Sequence, residues 1–236
     1  MNAVTGRRGD VAAQPSRKPK RGTQKGPGRP EGTSVVRETI LNAAEGIFAN
    51  LGYAGTTLRE VANEANVTQA LINYYFGSKY GLFEEVFLRR SQIIADARTD
   101  NLAALQASSD KPSVRDIVQA FLTPTLAFRD TAEGRSFLRL QARLHTEPPQ
   151  ISYQLRTNAY GTSTRDYVNA LRAALPHLSE LDATWRVTFM VGTYLYAFSD
   201  THRMEEMMPP GVYDPEDTND LIEQVTRFVT AGLLAP

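Results

Sequence analysis

Residues 57–76 read TLREVANEANVTQALINYYF, a pattern of two short helices joined by a tight turn. In the first half Leu58, Val61, Ala62 and Ala65 recur at the i, i+3, i+4, i+7 spacing of one buried helical face. Thr57 followed by Glu60 is the Ser/Thr-x-x-Glu pattern, in which each side chain caps a free backbone N–H of the first turn. The turn falls at Asn66-Val67, and Asn is the non-glycine residue that best tolerates the left-handed conformation of a sharp helix stop. Thr68 is placed to cap a second helix that turns Leu71 and Ile72 toward the first. That leaves Thr68, Gln69, Ala70, Asn73 and Tyr74 for the outer face, where no carboxylate would repel phosphate. Gln or Asn on such a face can bond adenine in a bidentate way in the major groove. An ordinary αα-hairpin with a polar outer face fits the same periodicity, so spacing alone leaves both readings open.

Working outward, Ser34 to Leu51 is expected to be a helix with Ile40, Ala44, Ile47, Phe48 and Leu51 inward, ended by Gly52 as a C-cap glycine. Arg37 falls on its polar side, in reach of a phosphate or simply solvated. Gly55-Thr56-Thr57 puts hydroxyls and free N–H groups at a helix N-terminus, a candidate anion site for the DNA backbone. Lys79 opens the next helix, where its charge and the N-terminal N–H groups can address one phosphate together. That helix is expected to run to about Leu105 and to link the reading domain to the rest.

The whole chain has 236 residues, 42% hydrophobic and 22% charged, enough for a substantial core. Without cysteine, neither a disulfide framework nor a thiolate metal site is possible. No apolar run approaches a membrane span and no secretory leader is legible, so a soluble cytoplasmic protein is expected. The net charge of zero hides an asymmetry: residues 1–33 hold eight basic and two acidic residues, giving +6, and the remainder carries the compensating −6. This basic, Gly/Pro-rich arm is expected to be disordered. It reads either as a solubilising leader or as a cationic arm on DNA, with Arg29 in Gly28-Arg29-Pro30 as the candidate minor-groove contact.

Beyond the linking helix the sequence reads as all helix: Val114–Arg129 with Pro124 as a kink, Glu133–Thr146, Ile151–Leu175, Glu180 to about Met208, and a last helix from Asp214-Pro215. The run from Glu180 is apolar around most of its circumference, so two sides must be covered, one by its own domain and the other by a second subunit. The candidate dimer residues are Val191, Leu195, Phe198, Leu221, Val225 and Phe228. One short recognition helix reads few base pairs, which also favours a two-fold dimer. Catalysis finds no support: His145, His177 and His202 lack helical metal-pair spacing, and no Ser has nucleophile-elbow glycines. No cofactor or metal is expected.

From about Val36 to Val86 the chain resembles the N-terminal domain of the TetR family of bacterial transcription regulators, through ILNAAEGIFANLGYAGTTLREVANEANVTQALINYYFGSKYGLF. The FxxxGY helix end, the TT before the second helix, the A-x-V-T turn, the YYF and the SK-x-x-LF follow that family's order. Asn66 replaces the usual turn Gly, and Asn73 stands where Tyr is common. The resemblance implies an all-α protein. Residues 34–85 are then expected to form a three-helix helix-turn-helix domain with its motif at 57–76, and residues 86–236 a larger ligand-binding and dimerisation domain. It also implies a phosphate contact by Tyr74, a core role for Tyr75 and Phe76, and pairing through the last two long helices. The implied function is that of a repressor released from a palindromic operator by a small molecule, with a constitutive DNA-binding or scaffolding dimer as the alternative and a helical-domain enzyme as a remote third reading. The candidate effector-pocket residues are Phe121, Phe137, Leu138, Gln141, Trp185, Phe189 and Tyr194, a lining suited to a hydrophobic or amphipathic molecule. Residues 137–147 and 174–186 are also similar to regulators of fatty-acid and acyl-CoA metabolism.

Overall fold

The computed structural model describes residues 31–236, so the basic arm with Arg29 lies outside the described residues. Ten α-helices and one 3-10 turn account for the secondary structure of that part, with no strand among the described residues. The first helix, α1 (Glu31–Gly55), is broken at Gly52, whose φ of 71° only glycine adopts freely. Its inward stripe is Ile40, Leu41, Ala44, Phe48 and Ala49. Ile47 is half-buried and Leu51 exposed, which corrects two of the expected core positions.

Helix α2 (Leu58–Glu64) starts with the reciprocal cap written in its sequence: Thr57 N donates to Glu60 Oε2 at 2.8 Å and Glu60 N donates to Thr57 Oγ1 at 3.2 Å. It stops in two bonds, Asn66 N to Asn63 O and Val67 N to Ala62 O, with Asn66 left-handed at φ 52°. This is the Schellman arrangement, with Asn in place of Gly. Helix α3 (Gln69–Phe76) is capped by Thr68 and buries Ile72 and Phe76. It ends at Gly77, φ 72°, and Ser78 immediately caps α4 (Lys79–Ser108). At this corner α4 passes so close to the end of α3 that a Cβ on Gly81 would overlap the Phe76 carbonyl.

Helix α4 is uninterrupted over 30 residues, about 45 Å at the helical rise. Its first half buries Leu82, Phe83, Val86 and Phe87 against α1, α2 and α3. The same apolar cluster runs on into Phe137, Leu140 and Leu144 of α6 (Ala132–Leu144) and Leu155 and Ala159 of α7 (Pro149–Ala174). Two polar ties reinforce this. Glu45, buried on α1, receives Arg89 and Arg90 of α4 at 2.8 and 3.1 Å. Tyr53 N, just past the α1 break, donates to Glu147 Oε1 at the α6–α7 corner at 2.8 Å.

Helix α5 (Val114–Leu126) lies along the second half of α4. Pro124 removes the N–H that would have bonded Ala120 O, and Asn101 Nδ2 of α4 donates to that carbonyl instead, at 3.3 Å. A 3-10 turn (Ala127–Asp130) follows. Helix α8 (Glu180–Phe198) is shorter than the sequence suggests, ending at Phe198 instead of running to about Met208. Asp200 and His202 are left-handed there, and Arg129 Nη1 donates both to the terminal Phe198 carbonyl (3.1 Å) and to Asp200 (2.5 Å). Helix α9 (Arg203–Met207) is a single turn. Helix α10 (Thr218–Leu234) starts at the Asp217 cap rather than at Asp214-Pro215, because Asp214 is used in a turn with Glu216 N. Helices α5, α7, α8 and α10 enclose the second apolar cluster.

Candidate functional site

The outer face of α3 presents Thr68, Gln69, Ala70, Asn73 and Tyr74 to solvent, with Tyr74 80% exposed. Leu71 is half-buried, while Ile72 and Phe76 are buried against the head. Lys79 stands one turn beyond. Its Nζ is 3.4 Å from Ala54 O and 4.5 Å over the Tyr53 ring, which fixes the ammonium beside the α3–α4 corner.

Three other expected DNA contacts are engaged elsewhere. Thr56 is 1% exposed and its hydroxyl donates to Gly52 O at 2.8 Å, so it holds the α1 break instead of facing out. At the anion site expected at residues 55–57 the groups of Thr57 are taken up within the cap. Both the N–H and the hydroxyl of Thr57 donate to Glu60 Oε2, and these bonds hold the Glu60 carboxyl below the usual range. Arg37 pairs with Glu85 and lies 5.4 Å over the Phe76 ring, bracing α1 against the corner. Arg59, exposed on α2 and without an ion pair among the described residues, was not signalled by the sequence pattern, because a surface arginine carries no periodic mark.

A cleft of about 1080 Å³ opens between α7 and α8, with Arg98 of α4 in its lining. Apolar walls come from Val168, Val187, Val191 and Leu195, and polar ones from Tyr160, Thr164, Thr188 and Tyr194. Of the pocket residues expected from sequence, only Tyr194 lines this cleft. Phe121, Phe137 and Leu138 are packed core side chains. Gln141 is buried behind the wall and donates from Nε2 to Tyr160 Oη at 2.6 Å. Trp185 and Phe189 are not interior at all: they are 53% and 63% exposed, their rings stacked at 5.5 Å on the outer side of α8.

That outer side continues through Leu181 and Tyr196 and across to Phe228 and Leu234 of α10, forming an exposed apolar face. Phe228 is 70% exposed. Leu195, Phe198 and Val225, assigned from sequence to that interface, are buried in their own protomer, and Val191 and Leu221 are half-buried beside them. The helix is indeed apolar nearly all round, but its inward side is the one these residues occupy.

An outward-facing, acid-free helix set against a capped partner helix, and joined by a long rigid helix to a cleft-bearing helical domain, defines a helix-turn-helix regulator. Residues 40–86 match the family described as bacterial regulatory proteins, tetR family, and residues 119–232 match the tetracyclin repressor-like C-terminal domain. Among characterised relatives, the HTH-type transcriptional regulator RutR of Escherichia coli K12 is 24% identical over 225 residues, covering 87% of this chain and 93% of RutR. In solved structures, the chain is similar to a TetR-like transcriptional regulator from Rhodococcus sp. RHA1, with TM-score 0.58, 16% identity and 86% and 98% of the two chains covered. The fatty acid degradation regulator FadR from Bacillus halodurans gives TM-score 0.55 and 17% identity over 91% and 100%. The chain belongs to the TetR family and is a DNA-binding transcriptional regulator. This is not an enzyme family, and no group of metal-binding side chains occurs among the described residues. Nor is any helix there long and apolar enough to cross a membrane.

Proposed function

We propose that the protein is a homodimeric repressor whose two heads hold successive half-sites of a palindromic operator, and that a small molecule in the α7–α8 cleft releases it. The observation that carries this is the continuity of α4. One unbroken helix begins at the end of the reading helix and supplies Arg98 to the cleft. Arg98 lies nineteen residues beyond Lys79, about 28 Å along the axis, so tilting α4 by about 5° moves the head by about 2.5 Å. Displacements of that size separate a base contact from none.

In this assignment Thr68, Gln69, Ala70 and Asn73 meet base edges, while Tyr74 and Lys79 meet phosphates and set the register. The stacked Trp185 and Phe189, with Phe228, form the centre of the dimer interface, where large aromatic side chains contribute most. The cleft's apolar walls and few polar groups suit an amphipathic effector, and fatty acyl compounds are the first class to assay. For a hundredfold release, the effector must prefer the DNA-incompetent arrangement by about 2.7 kcal/mol. Selection of bound sequences from random DNA with the full chain is expected to enrich a two-fold symmetric site, and light scattering to give a dimer. Enrichment without symmetry, or a monomer at micromolar concentration, would overturn the assignment.

A further inference from the structure

Arg98 is the largest fully buried side chain in the described structure, at 1% exposure, and it carries a permanent positive charge. Its Nε donates to Phe121 O at 3.0 Å and its Nη2 to Thr125 Oγ1 at 2.9 Å. The guanidinium sits 3.6 Å from the centre of the Phe121 ring, with the Tyr194 and Tyr160 rings at 5.3 and 5.5 Å. No carboxylate pairs with it among the described residues. The other buried charges behave differently: Arg129 has Asp200, and Glu45 has Arg89 and Arg90. An ion held out of water without a counter-ion is costly, and aromatic faces offset only part of that cost.

The cleft is where the missing charge would fit. Arg98 lines it with donors that its two protein bonds leave free, since a guanidinium has five N–H groups. Tyr160 lines it too. Its Oη accepts from Gln141 Nε2, which leaves the phenol proton to be donated, and burial pushes its pKa still further up from the ordinary phenol range. The lining also holds Arg156, Arg165 and Arg172, with Glu180, paired to Arg172 at 3.6 Å, as its single carboxylate, so the net field is positive and draws anions inward.

Resting on the ligand-responsive assignment above, we infer that the effector is an amphipathic monocarboxylate, its carboxylate on Arg98 and Tyr160 and its apolar body along Val168, Val187, Val191 and Leu195. One buried guanidinium balances one negative charge, whereas the second charge of a phosphate dianion would be left to the arginines nearer the opening, where water screens them. Because Arg98 belongs to α4, the ion pair forms on the helix that carries the reading head. Its formation therefore pulls on that lever directly.

The test uses straight-chain carboxylates from acetate to palmitate, each matched with its amide and its alkyl phosphate, against the full-length dimer. Melting temperature and operator release are read in parallel. At least one carboxylate is expected to raise the melting temperature, with its amide binding about 10- to 100-fold more weakly and its phosphate no better than the amide. Arg98→Gln should keep the helical circular dichroism and operator binding while losing the carboxylate response, and Arg98→Lys should recover part of it. Amides or phosphates that match the carboxylates, a series without any carboxylate response, or an Arg98→Gln variant that still responds would each overturn the inference. Carboxylate binding without operator release would leave the anion site standing and defeat the regulatory assignment. Operator release by amides alone would do the reverse.

Discussion

Replacing Gly81 by alanine tests how the reading helix is positioned. Gly81 lies in the first turn of α4, where alanine by propensity alone would stabilise the helix by up to about 1 kcal/mol. In the structure an ideal Cβ at this position falls well inside the 3.0 Å that real Cβ atoms keep, and the obstacle is the backbone carbonyl oxygen of Phe76, not a movable side chain. Relief requires the end of α3 to draw away from α4 by close to an ångström. Overpacking against fixed backbone falls at the upper end of about 1–3 kcal/mol, so the net expectation is a loss of about 1–2 kcal/mol. Urea denaturation followed by circular dichroism measures it, with Gly46→Ala as the control. Gly46 is also helical, but a Cβ there meets nothing within 4 Å, and that variant should gain about 0.5–1 kcal/mol. Operator affinity should fall for Gly81→Ala even under conditions where it is fully folded, because α3 has moved relative to the frame. A Gly81→Ala protein as stable as the parent, with unchanged operator binding, would refute the close approach of the two helices.

Three further outcomes are expected. Gln69→Ala or Asn73→Ala should relax the choice between operator sequences by about 1–3 kcal/mol, whereas Lys79→Ala should weaken binding to all sequences alike and lower the salt slope by about one; gel-shift titrations over a range of salt separate the two. Glu45→Ala takes from Arg90 its carboxylate partner and from Arg89 one of two, Glu38 remaining at 3.0 Å, and should cost about 1–2 kcal/mol in a urea melt, below the buried-pair figure because both arginines are partly solvated and Arg89 stays paired. Phe228→Asp places a charge in the exposed apolar face without disturbing either core; light scattering should show monomers and operator binding should collapse, and an intact dimer would move the interface elsewhere.

The caps and the turn of the reading head were legible because their determinants are local. The Thr57–Glu60 cap, the Asn66 stop and the Thr68 cap each involve groups within five positions in the chain. Their energies are set by backbone geometry that a short segment specifies by itself. Spacing also marked the described residues as all helix, and the run from Glu180 as apolar on more than one side. Which side faces the protomer's own core is a different kind of fact. Trp185 and Phe189 look the same in sequence as Met190 and Tyr194, yet the first pair faces solvent and the second the core, because helical phase is fixed only when α5, α7 and α10 pack. The end of α8 was hidden for a related reason: neither Gly nor Pro marks Phe198, and the stop depends on Arg129 reaching across 69 positions to its carbonyl. Arg98 was hidden most completely. A charged residue in a long polar-looking helix reads as surface, and only tertiary packing removes it from water and leaves its charge facing a cleft.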